Sequence, residues 1–104
     1  MTSGRVVPAE STPETATRFD DLVAAFTRLR DPETTAAFLK DLCTAQELDA
    51  LGQRLHVARL LHEGVHYQEI SRRTGASTAT VTRVAQWLRR GEGGYLAVLK
   101  RGRK

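Results

Sequence analysis

Phe19, Leu22, Val23, Phe26 and Leu29 recur at the three- and four-residue spacing of one helical face, which predicts a first helix over 18–30. Asp31-Pro32 follows, an N-cap residue with a first-turn proline, and opens a second helix through Phe38, Leu39 and Leu42. Thr44 and Glu47 have the Thr-x-x-Glu spacing of a capping box, which starts a third, longer helix. Leu48, Leu51, Leu55, Ala58 and Leu61 form one stripe along it, Val57 and Leu60 widen the apolar arc, and Gly64 ends it. An arc that wide on so short a chain calls for partners on more than one side. Trp87 and Leu88 close a later helix, Gly91, Gly93 and Gly94 make a break, and Tyr95 to Leu99 form a short last helix. No segment alternates with period two and no internal repeat is visible, so the expected class is all-α, in one domain.

The run from Tyr67 to Arg83, YQEISRRTGASTATVTR, has the spacing of a helix-turn-helix. Counted from Tyr67, Ile70 is fourth, Ser71 fifth, Gly75 ninth, Val81 fifteenth and Val84 eighteenth. Ile70, Val81 and Val84 are apolar where they face the angle between two crossing helices. Ser71 is small where the helices come closest, since bulk there would force them apart. Gly75 stands where the first helix must turn through left-handed backbone, a conformation glycine reaches without steric cost. Ser77 offers a hydroxyl N-cap, so the second helix should begin at about Thr78. A generic helical hairpin needs neither the small fifth residue nor the capped, hydroxyl-rich start. Thr74 departs from the pattern, being polar at the eighth place where an apolar residue is usual.

Charge sharpens this reading. The formal net charge of +4 conceals a division. Residues 1–52 hold five basic and nine acidic side chains, whereas residues 53–104 hold eleven basic and three acidic. The basic half contains the helix-turn-helix, and a basic surface around a groove-reading element is the footprint of duplex DNA binding. The expected DNA-facing set is Gln68, Arg72 and Arg73 on the first helix of the unit, Ser77, Thr78, Ala79, Thr80, Thr82, Arg83 and Gln86 on the second, and Arg54 on the long helix. Arginine's planar fork suits phosphate, and the short hydroxyl and methyl side chains suit base edges and thymine methyls in a major groove. Arg72, Arg73, Arg89 and Arg90 could equally be solvated charges.

Other chemistry is thinly represented. The single cysteine, Cys43, excludes an internal disulfide, reads as a small apolar group and fits a reducing compartment. With neither a signal-peptide pattern nor a membrane-length apolar run, the expected location is the cytoplasm. His62 and His66 have the i, i+4 spacing of helical metal ligands, but Gly64 lies between them and no carboxylate or cysteine completes a set, so no metal is expected. Nothing resembles a phosphate loop, a nucleophile with its base or a paired-carboxylate site, and no catalysis is expected. Residues 1–17, rich in Thr, Ser, Pro and Glu, read as a disordered tail, residues 18–100 as the folded domain and residues 101–104 as a basic tail.

The segment LCTAQELDALGQRLHVARLLHEG followed by ISRRTGASTATVTR resembles the tryptophan repressor superfamily, and more closely its YerC/YecD branch, over about Phe19 to Lys100. The resemblance implies a Trp repressor-like helical bundle, an intertwined homodimer in which the N-terminal helices of one subunit wrap the other. It also implies two recognition helices set for successive major grooves, with half-sites about 34 Å apart. Thr44, Arg54 and Arg83 match the threonine and two arginines that surround the family's co-repressor. Other pocket positions depart: Asp41 and Cys43 replace leucines, Val84 replaces a glycine beside the indole, and Trp87 replaces a serine one turn later. These changes add bulk and a carboxylate where the ligand needs room, so no tryptophan co-repressor is expected, and Trp87 would fill the ligand's space. The function expected is a dimeric, sequence-specific transcription regulator, acting as a repressor by occupying a promoter. The alternative is an interaction module whose helix-turn-helix face docks on a component of the transcription machinery.

Overall fold

The computed structural model describes residues 13–102, which carry six helices: α1 (Pro13–Thr27), α2 (Pro32–Leu42), α3 (Ala45–His62), α4 (Tyr67–Thr74), α5 (Thr78–Arg90) and α6 (Gly94–Gly102). No strand occurs among the described residues. None of these helices is long and apolar enough to cross a membrane. The chain divides into two compact units, 1–42 and 43–104, where the sequence suggested one domain.

In the first unit, helix α1 begins at Pro13, ahead of the expected start at Arg18, so residues 13–17 are helical rather than part of a disordered tail. Pro13 and Glu14 explain this, since a first-turn proline and an acidic residue near the positive end of the helix dipole both favour initiation. The remainder of the expected tail, 1–12, lies outside the described residues. Helix α1 stops at Thr27, leaving Leu29 in the turn that follows. Asp31 caps α2 as anticipated, its carboxylate accepting from the Thr34 amide at 2.9 Å. That bond holds the Asp31 carboxyl below its ordinary value. Phe26 and Phe38 meet edge to face with ring centroids 5.4 Å apart. No residue of α2 is fully buried, and Leu22, Val23, Phe26 and Leu42 stay substantially exposed. Among its described residues this unit therefore has no sealed core of its own.

The second unit is built on α3. Its capping box forms in full, with the Glu47 amide donating to Thr44 Oγ1 at 3.1 Å and the Thr44 amide donating to Glu47 Oε1 at 2.8 Å. At the other end the Val65 amide bonds the Leu60 carbonyl and the Gly64 amide the Leu61 carbonyl, a Schellman closure. Helices α4, α5 and α6 all pack on α3. The core is Val57, Ala58 and Leu60 of α3 with Ile70, Ala76, Val81, Val84 and Leu99, and Leu55, Leu61, Val65, Leu88 and Tyr95 pack around it. The centre of burial thus falls on the C-terminal half of α3. Leu51, part of the expected stripe, remains 45 % exposed, because α4 and α5 cover the later turns. Helix α6 runs through Gly102, so residues 101 and 102 belong to a helix rather than to a tail, while 103–104 lie outside the described residues.

Gly75 is the C-cap of α4, with φ +78° and its amide bonded to the Ser71 carbonyl at 2.9 Å. A Cβ there meets no neighbouring atom, so replacing Gly75 costs backbone strain alone. Gly75→Ala is expected to lower the unfolding free energy by about 1–2 kcal/mol, with Gly75→Asn costing less, as measured by urea denaturation.

Candidate nucleic-acid interface

Helices α4 and α5 form the expected helix-turn-helix. Ile70 and Val81 have no solvent exposure and Val84 only 3 %, as their places in the motif require. Ser77 caps α5: its hydroxyl oxygen accepts from the Thr80 amide and donates to Thr80 Oγ1, both at 3.1 Å. The inner side of α5 is fixed by Val81, Val84 and Ala85. Thr78, Ala79, Thr82, Arg83 and Gln86, together with the cap Ser77, remain exposed, whereas Thr80 is half-buried. Gly91 terminates the helix with its amide on the Trp87 carbonyl, and a Cβ on Gly91 would collide with that carbonyl.

Thr74 accounts for its own departure from the pattern. Its hydroxyl donates to the Ile70 carbonyl at 2.7 Å and accepts from the Ala76 amide at 3.1 Å, and its carbonyl accepts from Gln53 Nε2 at 3.3 Å. An apolar residue would offer the carbonyl but neither of the two hydroxyl bonds. Ser71, at the close crossing, keeps a buried hydroxyl with no hydrogen-bond partner among the described residues.

The exposed surface of α4 carries Gln68, Arg72 and Arg73. Arg72 is engaged by Glu69, with Nε donating to Oε1 at 3.0 Å and Nη2 donating to Oε2. The hydrogen bond from Arg72 holds the Glu69 carboxyl below the usual glutamate range. Arg89, on the last turn of α5, lies 3.5 Å from the Tyr67 hydroxyl at the start of α4.

A cavity of about 430 Å³ lies between α3 and α5, lined by Ala50, Gln53, Arg54, Thr80, Arg83, Val84, Trp87 and Tyr95. Arg54 and Arg83 are therefore brought to one site. Thr44 is not among the lining residues: it stands ten residues before Arg54, about 15 Å along a helix, where its hydroxyl serves as the α3 cap. Trp87 does not plug the space as expected. Its indole is 58 % exposed and forms one wall, because Val84 takes the inward position one turn earlier. Gln53, Ala50 and Tyr95 were not anticipated at this site. Ala50, one turn before Arg54 on α3, and Gln53, beside it, could have been found from helical spacing, whereas only the packing of α6 brings Tyr95 to the site. His62 ends α3 and His66 caps α4 across the Gly64 turn, so the two do not share a helix face, and no cluster able to hold a metal ion occurs among the described residues.

The profile of the Trp repressor protein family matches residues 17–103. This chain belongs to the Trp repressor family. It is 45 % identical over 82 residues to the uncharacterized protein YerC of Bacillus subtilis (strain 168), covering 79 % of each chain. A crystal structure of a candidate Trp repressor from Staphylococcus aureus superposes with a TM-score of 0.76 at 39 % identity, over 82 % of this chain and 85 % of that one. A TrpR-like protein from Eubacterium eligens gives a TM-score of 0.77 at 39 % identity, over 82 % and 88 %. The Trp repressor-like fold is one of regulators rather than enzymes.

Two expectations follow from the interface. Ser77→Ala removes the α5 cap and should cost about 1 kcal/mol in urea unfolding, while Ser77→Asp retains most of the stability. Because Arg72 depresses the Glu69 carboxyl, that pair stabilises the fold fully above the unfolded-state pKa of the carboxyl. The contribution disappears as pH falls through the lower folded-state value. Glu69→Gln should accordingly flatten the acid limb of stability against pH.

Proposed function

We propose that this protein is a homodimeric, sequence-specific DNA-binding regulator that represses by occupying a promoter. The observation that carries this reading is α5 itself, capped by Ser77, with Val81, Val84 and Ala85 buried and Thr78, Ala79, Thr82, Arg83 and Gln86 exposed. Small hydroxyl and methyl side chains at the start of such a helix allow close approach to base edges, and Arg83 and Gln86 add donors. The excess of eight positive charges over residues 53–104 supplies the sequence-independent attraction to phosphate.

The homodimer is supported by uncovered apolar surface. Leu42, Leu51, Trp87 and Val98 are each between 45 and 58 % exposed, and α2 buries no residue fully within one chain. Surface of this kind is costly to leave in water. Leu55, Trp87, Tyr95 and Val98 also line an apolar hollow of about 530 Å³ beside α6. In this reading DNA binding needs no tryptophan co-repressor, since Val84 and Trp87, which line the Arg54–Arg83 cavity, are bulkier than the glycine and serine that the family resemblance implies there. The free thiol of Cys43 and the DNA target accord with a cytoplasmic setting.

The test is selection of genomic DNA fragments by the purified protein, with and without tryptophan. Enrichment of a two-fold symmetric site without tryptophan is expected. Arg83→Ala should weaken binding to every duplex and lower the slope of log K against log salt by about 0.9. Absence of any enriched site under both conditions would overturn the reading and favour a protein partner for the helix-turn-helix face.

A further inference from the structure

Two long-range side-chain hydrogen bonds hold α4, one near each end. At its start the Tyr67 hydroxyl receives Arg89 from α5 at 3.5 Å. At its end the Thr74 carbonyl receives Gln53 Nε2 from α3 at 3.3 Å. The second is the more consequential, because Thr74 is also the hub of the turn, donating to Ile70 and accepting from Ala76. Ala76 is buried and immediately precedes Ser77, the cap from which α5 starts. A chain of contacts therefore leads from α3 through the Gln53 amide and the Thr74 turn to the first residue of the recognition helix. Both Gln53 and Thr74 are half-buried, so water competes less for these bonds than at the exposed caps.

We propose that Gln53 is a positioning residue for DNA recognition, its amide fixing the α4–α5 turn so that α5 is presented in one orientation with nothing bound in the adjacent cavity. This rests on the DNA-binding reading above and adds a residue that makes no contact with DNA itself. Gln53 lines the cavity together with Thr80, whose amide and hydroxyl complete the Ser77 cap. The chain thus supplies from its own sequence a polar group that ties the recognition helix to its scaffold. Losing that group should loosen base readout, which needs a fixed helix, more than phosphate attraction, which does not.

Gln53→Met keeps the side chain's length and neutrality and removes its carboxamide, including the Nε2 donor to the Thr74 carbonyl. On the folded fraction, affinity for the selected site should fall about three- to tenfold, the range that one lost hydrogen bond supports. Affinity for random duplex and its salt slope should stay unchanged, whereas Arg83→Ala lowers both. The Ala76 amide should exchange with solvent faster in Gln53→Met than in the parent protein. Equal losses on selected and random DNA, or undiminished affinity for the selected site, would overturn the proposal. Failure of the parent protein to select any site would sink the DNA-binding reading, and the Ala76 exchange rate would still decide whether Gln53 fixes the turn: unchanged protection would overturn it.

Discussion

The close crossing of α4 and α5 over the C-terminal half of α3 is the constraint on which the rest of this structure depends. Val57, Ala58, Ile70 and Val81 lose all contact with solvent there, and Leu60, Ala76 and Val84 nearly all. Burying an aliphatic side chain of this size contributes about 1.5–3 kcal/mol, against about 1 kcal/mol for a good helix cap. Burial therefore holds the three helices together, and the polar bonds select how they meet. Ser71 at the crossing and Gly75 in the turn are the concessions that let the apolar residues reach one another, since a larger side chain at either place would separate the helices or strain the backbone.

Because burial fixes the inner side of α5, its outward side is left to other tasks. Val81, Val84 and Ala85 are committed to the core, so Thr78, Ala79, Thr82, Arg83 and Gln86 must project away from it. The charge distribution points the same way. Residues 53–104 carry all of the protein's positive excess, whereas residues 1–52 are net acidic. Within the basic half, Arg72 is paired with Glu69 and Arg89 lies against Tyr67, while Arg54 and Arg83 face a shared cavity. Arginines that look equivalent along the chain are thus assigned to different work by their neighbours.

The apolar residues that burial leaves over are as informative as those it consumes. The first unit has amphipathic helices and an edge-to-face phenylalanine pair, yet no fully buried residue in α2. In the second unit Leu51 and Val98 stay open to solvent. A chain of 104 residues has a high ratio of surface to volume, and completing its core by association is the common physical solution.

Several features are determined by the sequence alone because they rest on interactions spanning four residues or fewer. The capping box at Thr44 and Glu47, the Asp31-Pro32 start of α2, the left-handed turn at Gly75 and the Ser77 cap all form where the spacing places them. The inward places of Ile70, Val81 and Val84 follow from helical periodicity and are equally legible. The start of α1 at Pro13 was signalled by Pro13 and Glu14, but low apolar content outweighed that signal. Tertiary structure decided the rest, because it depends on which helix covers which. Only the packing of α4 on α3 places Gln53 against the Thr74 carbonyl, 21 residues away, and ties a locally bonded turn to the long helix. The packing of α5 on α3 likewise leaves the Trp87 indole as an exposed wall, although bulk alone suggested that it would fill the space. Periodicity says which residues share a face; the direction each side chain takes at a helix crossing is set by the neighbours it meets there.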